Sequence, residues 1–305
     1  MRAVVFAYHS FGVIGLEALL RHGYEVAAVY SHEDDPKEET WFKSVKTFCR
    51  ERGLKVLTPE DPNRPEEADR IRALKPDIIF SFYYRKMLKP AVLRIPPSGC
   101  LNLHGSLLPK YRGRAPINWV LVKGEKETGV TLHYMLEKPD AGDIVGQRAV
   151  AITFEDTALT LYRKMEKAAA ELLDEVLPKI KAGTQARLPN RIEQGSYFRG
   201  RRPEDGKIDW KKSALEIYNL IRAVTHPYPG AFGILEGEKI MIWWAKPAPA
   251  DHILAPGEIA LEEPAVMVGT SAGELQLLEV EYRGRTLQGP DLLEVLKSYE
   301  GKSLQ

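Results

Sequence analysis

Cysteine is nearly missing from this chain: two in 305 residues, Cys49 and Cys100, with no CxxC pair. That excludes a disulfide framework and a thiolate zinc site, and leaves two buried free thiols in a reducing compartment. Also missing is any apolar run near the roughly 20 residues that span a bilayer. The N-terminal MRAVVFAYHS is too short for the apolar core of a secretory signal and serves better as a first strand. Cytoplasmic location without a membrane partner is therefore expected. Seven scattered histidines form no spaced ligand cluster, so no metal is expected. A net charge of +1 gives no overall field for nucleic acid or membranes. The turn after the first strand, YHSFGVIG, has glycines at 12 and 15 but no GxGxxG, and Ser106 lacks a GxSxG setting. Internal repeats and low-complexity tracts are absent too.

What remains is an ordinary globular composition, 44% hydrophobic and 28% charged, in a chain long enough for one large and one smaller domain. Strand-like and helical runs alternate. Strands are expected at Ala3–Tyr8, Glu25–Tyr30, Val56–Thr58, Asp77–Phe82 and Cys100–Leu103. Helices are expected at Ile14–His22, Trp41–Arg52, Pro65–Leu74 and Met87–Arg94, with a polar loop after the second strand. Such alternation is that of an α/β, doubly wound, mostly parallel sheet, which binds ligands beyond the carboxyl ends of its strands. A helix over Ile117–Val122, strands over Thr128–Met135 and Ile144–Ile152, and a long helix over Ala158–Ile180 follow, with Asp156 or Thr157 as its cap. Periodicity is lost over 183–202, which reads as a linker. A helix over Ala214–Val224 and short runs at Phe232–Leu235, Ile240–Trp244, Ala265–Val268 and Glu274–Glu281 then suggest a small β-barrel or sandwich. The expected division is 1–189, a linker at 190–203, and 204–305.

The chemistry concentrates in NLHGSLLPKYRGRAP, residues 102 to 116. Asn102 and His104 stand two apart at a strand end, hence on one side of the sheet. Lys110, Arg112 and Arg114 follow, and Asp140 lies in a later loop, LEKPDAGD. An amide donor, a titratable imidazole and a carboxylate suit acyl transfer, in which an amine attacks a carbonyl carbon and a proton moves to the leaving nitrogen. Each residue alone also has a plainer reading. His104 could be a hydrogen-bonded structural histidine, Asp140 a turn former, and the three cations a solvated face.

Taken in order, N-x-H-x-S-L-L-P-x-x-R-G-x-x-P from Asn102 to Pro116, ETGVTLH (127–133), DAGDI (140–144), RRPEDGKIDW (201–210) and IRAVTHPYPGAF (221–232) resemble the 10-formyltetrahydrofolate-dependent formyltransferases. The resemblance implies a Rossmann-like catalytic domain and an OB-like barrel, 10-formyltetrahydrofolate as co-substrate, and Asn102, His104 and Asp140 as the catalytic triad. Finer resemblance, in VVFAYHSFGVIGLEALL and IIFSFYYRKML, is to the formyltransferase half of the bifunctional polymyxin-resistance protein, which formylates UDP-4-amino-4-deoxy-L-arabinose for lipid A modification. It implies folate contacts at Lys86, Met87, Leu88, Arg114, Leu136, Glu137, Lys138, Pro139 and Asp140. That relative carries a decarboxylase which this chain does not show, so a homo-oligomer and a separate decarboxylase partner both stay open.

Two rivals remain: methionyl-tRNA formyltransferase, and a formyltransferase for another nucleotide-linked amino sugar. Charge separates the first. From Pro203 to Gln305 there are 10 Lys and Arg against 16 Asp and Glu, a balance of −6, whereas the remainder has 33 against 26, or +7. A domain gripping a tRNA backbone should be basic, so no nucleic-acid partner is expected. A nucleotide sugar needs only a few cations for its diphosphate, a role assigned to Lys110 and Arg112. A non-catalytic ligand-binding relative is a third possibility, against which the intact triad counts.

Overall fold

The computed structural model describes residues 1–33, 41–249 and 254–305. Contact clustering divides the chain into two units, and not by a single cut. The first comprises 1–116, 127–151 and 162–199; the second comprises 117–126, 152–161 and 200–305.

The first unit starts with β1 (Arg2–Ala7), α1 (His9–Arg21), β2 (Glu25–Tyr30), α2 (Val45–Glu51), β3 (Val56–Leu57), α3 (Pro65–Ala73), β4 (Ile78–Phe82), α4 (Pro90–Leu93) and β5 (Cys100–His104). A two-residue strand β6 (Arg112–Gly113) precedes β7 (Glu127–Tyr134) and β8 (Ile144–Ala151); helix α5 (Pro116–Val122), between β6 and β7 in sequence, belongs from Ile117 on to the second unit. The long helix α6 (Ala158–Ala182) and the short β9 (Tyr197–Phe198) follow. The sheet order is β3-β2-β1-β4-β5-β7-β8. The first five strands pair in parallel, and β7 and β8 add antiparallel. β1 and β4 are buried on both faces, as Val- and Ile-rich parallel strands are, whereas β8 alternates as a half-solvated edge does. The doubly wound sheet is thus as expected.

Several boundaries differ, each for a local reason. α1 begins at His9 rather than Ile14, with Gly12 and Gly15 inside it. A Cβ on Gly12 would stand 2.8 Å from Val45 of α2, and one on Gly15 2.2 Å from the Phe82 ring, so Gly12 lets α1 lie close to α2 and Gly15 lets it lie close to the sheet. α2 starts at Val45 because Ser44 caps it, its Oγ accepting from the Thr47 amide. α4 is only four residues long, with Pro90 at its first position, and Met87 and Leu88 precede it. Thr157 caps α6 through the Thr160 amide, while Asp156 accepts from the Thr153 amide and the Thr160 hydroxyl. The polar loop expected after β2 lies largely outside the described residues. The segment expected as a linker is not free chain: Leu188 bridges Ile144, and β9 pairs in parallel with β6.

In the second unit, α7 (Ala214–Val224) opens with a Ser213–Glu216 capping box. Strands β10 (Ala231–Leu235), β11 (Glu238–Ala248), β12 (Ile259–Glu262), β13 (Ala265–Gly269), β14 (Glu274–Tyr282) and β15 (Arg285–Gln288) precede α8 (Gly289–Leu296). The antiparallel order is β10-β11-β14-β13-β12, with β15 on β14. The last residues join the two outer strands: Leu304 donates to Gly257 at 2.9 Å, and Gln305 exchanges hydrogen bonds with Ile234 at 2.8 and 2.9 Å. β12, β15 and α8 were not anticipated; the two strands are four residues each, and α8 is eight residues with Gly289 and Pro290 at its start. No helix among the described residues is long and apolar enough to cross a membrane.

Candidate active site

The site grows from the carboxyl end of β5. Antiparallel register sets Asn102 opposite His133 and His104 opposite Thr131 on β7, so these side chains share one face of the sheet. Beyond His104 the chain makes a braced loop. The Leu108–Pro109 peptide is cis. Thr131 Oγ1 donates to the Ser106 carbonyl at 2.6 Å and accepts from the Leu108 amide at 3.1 Å, while Gln147 donates to the Leu108 carbonyl at 2.9 Å. The Ser106 hydroxyl donates to the Lys110 carbonyl at 2.7 Å, a bracing role. At the far end Tyr111 stacks on Phe198 at 5.0 Å, and Gly113 takes φ +98.

This loop returns to the histidine. His104 Nε2 lies 2.8 Å from the Tyr111 carbonyl, which can only accept, so the Nε2 proton is fixed there. Nδ1 then faces Asp140 Oδ1 at 3.6 Å, with His104 6% exposed. Asp140 Oδ2 accepts from the Gly113 amide at 2.8 Å. Asp140 adopts φ +49, a left-handed conformation that Asp tolerates better than most residues. Asn190 holds that turn by donating to the carbonyls of Asp140 and Gly142 at 3.0 and 3.2 Å. Burial alone would raise the Asp140 carboxyl. The imidazoles of His104 and His133 and the Gly113 amide outweigh burial and hold it well below the usual carboxylate range. An ionised carboxylate, a histidine of fixed tautomer and an amide donor therefore meet beyond β5. Asp140 does form a turn, and its carboxylate also faces His104 and the Gly113 amide.

His133 was not anticipated. It is 1% exposed, 3.2 Å from Asn102 Nδ2 and 3.5 Å from Asp140 Oδ1, both measured from its Nε2. Asn190 and Ser196, whose hydroxyl accepts from the Tyr111 amide at 2.9 Å, were missed as well. Period-two alternation in ETGVTLH could have flagged His133; nothing local flags the other two.

The expected ligand contacts are spread out. The three cations of the loop do not share one face. Arg112 is buried at 9% exposure, with its Nε unpartnered and its guanidinium 5.8 Å from the Tyr197 ring. Lys110 and Arg114 are exposed. Leu88 packs in the core with Val4, Phe6, Tyr30 and Ile79, so its side chain is taken up there and only its backbone remains for a ligand. Lys86 donates to the Glu60 carbonyl, and Met87 is exposed. Leu136, Glu137 and Lys138 are exposed and Pro139 half-buried, with Glu137 3.8 Å from Arg94.

At the ends of β1, β2 and β4 lies an aromatic group. His9 stacks on Phe42 at 3.4 Å and His32 on Tyr84 at 4.2 Å. Burial first, then Arg85 at 3.3 Å, pushes the His9 imidazole down to about 3. Burial with Lys86 and Arg85 pushes His32 down to about 4.

Residues 1–177 match the formyl transferase family, and residues 201–296 match the formyl transferase C-terminal domain. Among solved structures, an N-formyltransferase from Helicobacter canadensis, in complex with folinic acid and dTDP-3-aminofucose, is 24% identical with a TM-score of 0.71, covering 90% of this chain and 98% of that one. WlaRD, a sugar 3N-formyl transferase determined in the presence of dTDP and 5-N-formyl-THF, is 22% identical with a TM-score of 0.69, covering 91% and 97%. A 4-N formyltransferase from Francisella tularensis is 23% identical with a TM-score of 0.64, covering 80% and 96%. At these identities the structures establish a shared fold, while the family matches span most of the chain: this protein belongs to the formyl transferase family.

Proposed function

We propose that the protein transfers a formyl group from 10-formyltetrahydrofolate to the primary amine of a nucleotide-linked amino sugar, with Asn102, His104 and Asp140 as the catalytic residues. The observation that carries this reading is the ionised, half-buried Asp140 carboxylate beside the tautomer-fixed His104, with the Asn102 amide on the same face of the sheet. These groups fit the donor's chemistry. The folate supplies an activated formyl carbon attached to N10. The amine nitrogen bonds to that carbon, the carbon–N10 bond breaks, and a proton passes from the amine to N10.

The protein's part follows from its own geometry. Negative charge develops on the formyl oxygen, and the Asn102 amide is a donor for it. Such a donor contributes roughly 3–4 kcal/mol where water is excluded. Nδ1 of His104 is the ring nitrogen left free of the Tyr111 carbonyl, and it receives the amine's proton. Asp140, 3.6 Å away, stabilises the resulting imidazolium. A positioned acid–base group of this kind is worth about 10² to 10⁴-fold. The acceptor amine must arrive neutral, so the rate falls below the amine's own pKa.

Within this class the sugar proposed is UDP-4-amino-4-deoxy-L-arabinose, formylated on its 4-amine in the cytoplasm. The motivation is the resemblance in VVFAYHSFGVIGLEALL and IIFSFYYRKML; polymyxin resistance through lipid A modification would be the setting. The buried Arg112, with an unpartnered Nε, is a natural partner for the diphosphate. The acidic balance after Pro203 speaks against a tRNA acceptor. A direct competition tests both levels: 10-formyltetrahydrofolate with equal concentrations of this sugar, a dTDP-linked amino hexose and methionyl-tRNA, with products resolved by mass spectrometry. Preference for the hexose removes the arabinose assignment alone. Formylation of the tRNA alone removes the nucleotide-sugar class.

A further inference from the structure

We infer that His133 is a positioning residue that fixes which end of the Asn102 amide faces the reaction. This deepens the formyl-transfer reading and rests on it. Asn102 and His133 are direct cross-strand partners, so the ladder itself holds their side chains together. His133 Nδ1 lies 2.8 Å from the Tyr134 carbonyl, which can only accept. The ring proton is therefore on Nδ1, and the neutral ring offers a lone pair at Nε2. The Asn102 Nδ2 amide stands 3.2 Å from that lone pair and donates one N–H to it. Its second N–H is left over, and it is the donor required where negative charge develops on the formyl oxygen.

Remove the acceptor and the preference goes. An asparagine amide rotated by half a turn would present its carbonyl oxygen, which repels an oxyanion instead of binding it. A buried histidine could equally well be structural, and additivity distinguishes the two roles. A residue that acts through Asn102 has nothing to act on once the amide is gone, whereas a structural role costs the same in either background.

The test is a double-mutant cycle on the full chain, with 10-formyltetrahydrofolate and UDP-4-amino-4-deoxy-L-arabinose. A complete oxyanion donor is worth about 10² to 10³-fold, so losing only its orientation costs somewhat less. His133→Leu should lower kcat by roughly 10 to 100-fold while both KM values stay within about three-fold. His133→Gln, whose side-chain oxygen reaches the Nε2 position, should recover most of that loss. His133→Asn, whose oxygen falls near Nδ1, should not. In an Asn102→Ala background, His133→Leu should cost no more than about two-fold further. Should His133→Leu not fold, His133→Gln and His133→Asn are carried through the same cycle. Equal losses in both backgrounds, or wild-type turnover in folded His133→Leu, overturn the inference. If the wild-type protein formylates no amine, it is the function reading that fails, before the cycle is reached.

Discussion

The Gly113 amide donates to Asp140 Oδ2 at 2.8 Å, tying the cationic loop to the loop that carries the carboxylate. Only glycine fits there. The backbone is at φ +98, and a Cβ would stand 2.2 Å from the Phe198 carbonyl oxygen. Gly113→Ala should therefore displace both loops, with strain of about 1–3 kcal/mol. The expected result is a lower melting temperature and a kcat at least ten-fold down. A variant with native melting and turnover would show that this tie does not hold Asp140 in place.

For the acid–base pair, His104→Ala is expected to lower kcat by roughly 10² to 10⁴-fold with the fold intact. Asp140→Asn should act through the same histidine, because an amide cannot stabilise an imidazolium, and it should change the shape of the pH–rate profile. Single-turnover kinetics between pH 6 and 9 check both. Unchanged profiles would reduce Asp140 to a turn residue.

The cations of the loop should separate by burial. Arg112 is buried with an unpartnered Nε, whereas Lys110 is exposed. A hydrogen bond to a charged group is worth about 1.5–3 kcal/mol, so Arg112→Ala should raise KM for the nucleotide sugar by roughly 10 to 100-fold. Lys110→Ala should change it less than about three-fold. Arg114→Ala should weaken folate rather than sugar. Titration calorimetry with UDP and with folinic acid reads the two effects apart, and equal effects of all three substitutions on UDP would contradict the assignment.

Stability should fall on the acid side before any carboxylate matters. His9 is held at about 3 in the folded protein, against roughly 6.5 when unfolded. Between those values the unfolded chain takes up a proton that the folded site refuses, so stability drops as pH falls below about 6.5, by up to roughly 1.4 kcal/mol per pH unit for one group. His32, held at about 4, adds in the same direction. Asp140, depressed by its imidazole neighbours, contributes only above the ordinary carboxylate pKa and loses that contribution below it. Melting temperatures at pH 7 and pH 5 should therefore differ more for the wild type than for His9→Gln. An equal difference would mean that His9 is not kept neutral by its surroundings.

The sequence by itself determined the doubly wound sheet, because buried parallel strands demand continuous apolar runs and amphipathic helices must cover them. It also placed Asn102 and His104 on one side of a strand end, since the side-chain period of two needs no tertiary information. The motif DAGDI points to Asp140 as their companion, but only tertiary structure decided how it reaches them and what else joins. His133 arrives through antiparallel register, and Asp140 through a left-handed turn held by Asn190, 50 residues further along the chain. Lys110, Arg112 and Arg114 look alike in sequence; loop bracing by Thr131, Ser196 and Phe198 turns one inward and leaves two in solvent. Leu88 was assigned by motif, yet its side chain is an apolar group that the core takes up. Local periodicity records which face of an element is buried. It does not record which distant element buries it, and the composition of this site depends on that second fact.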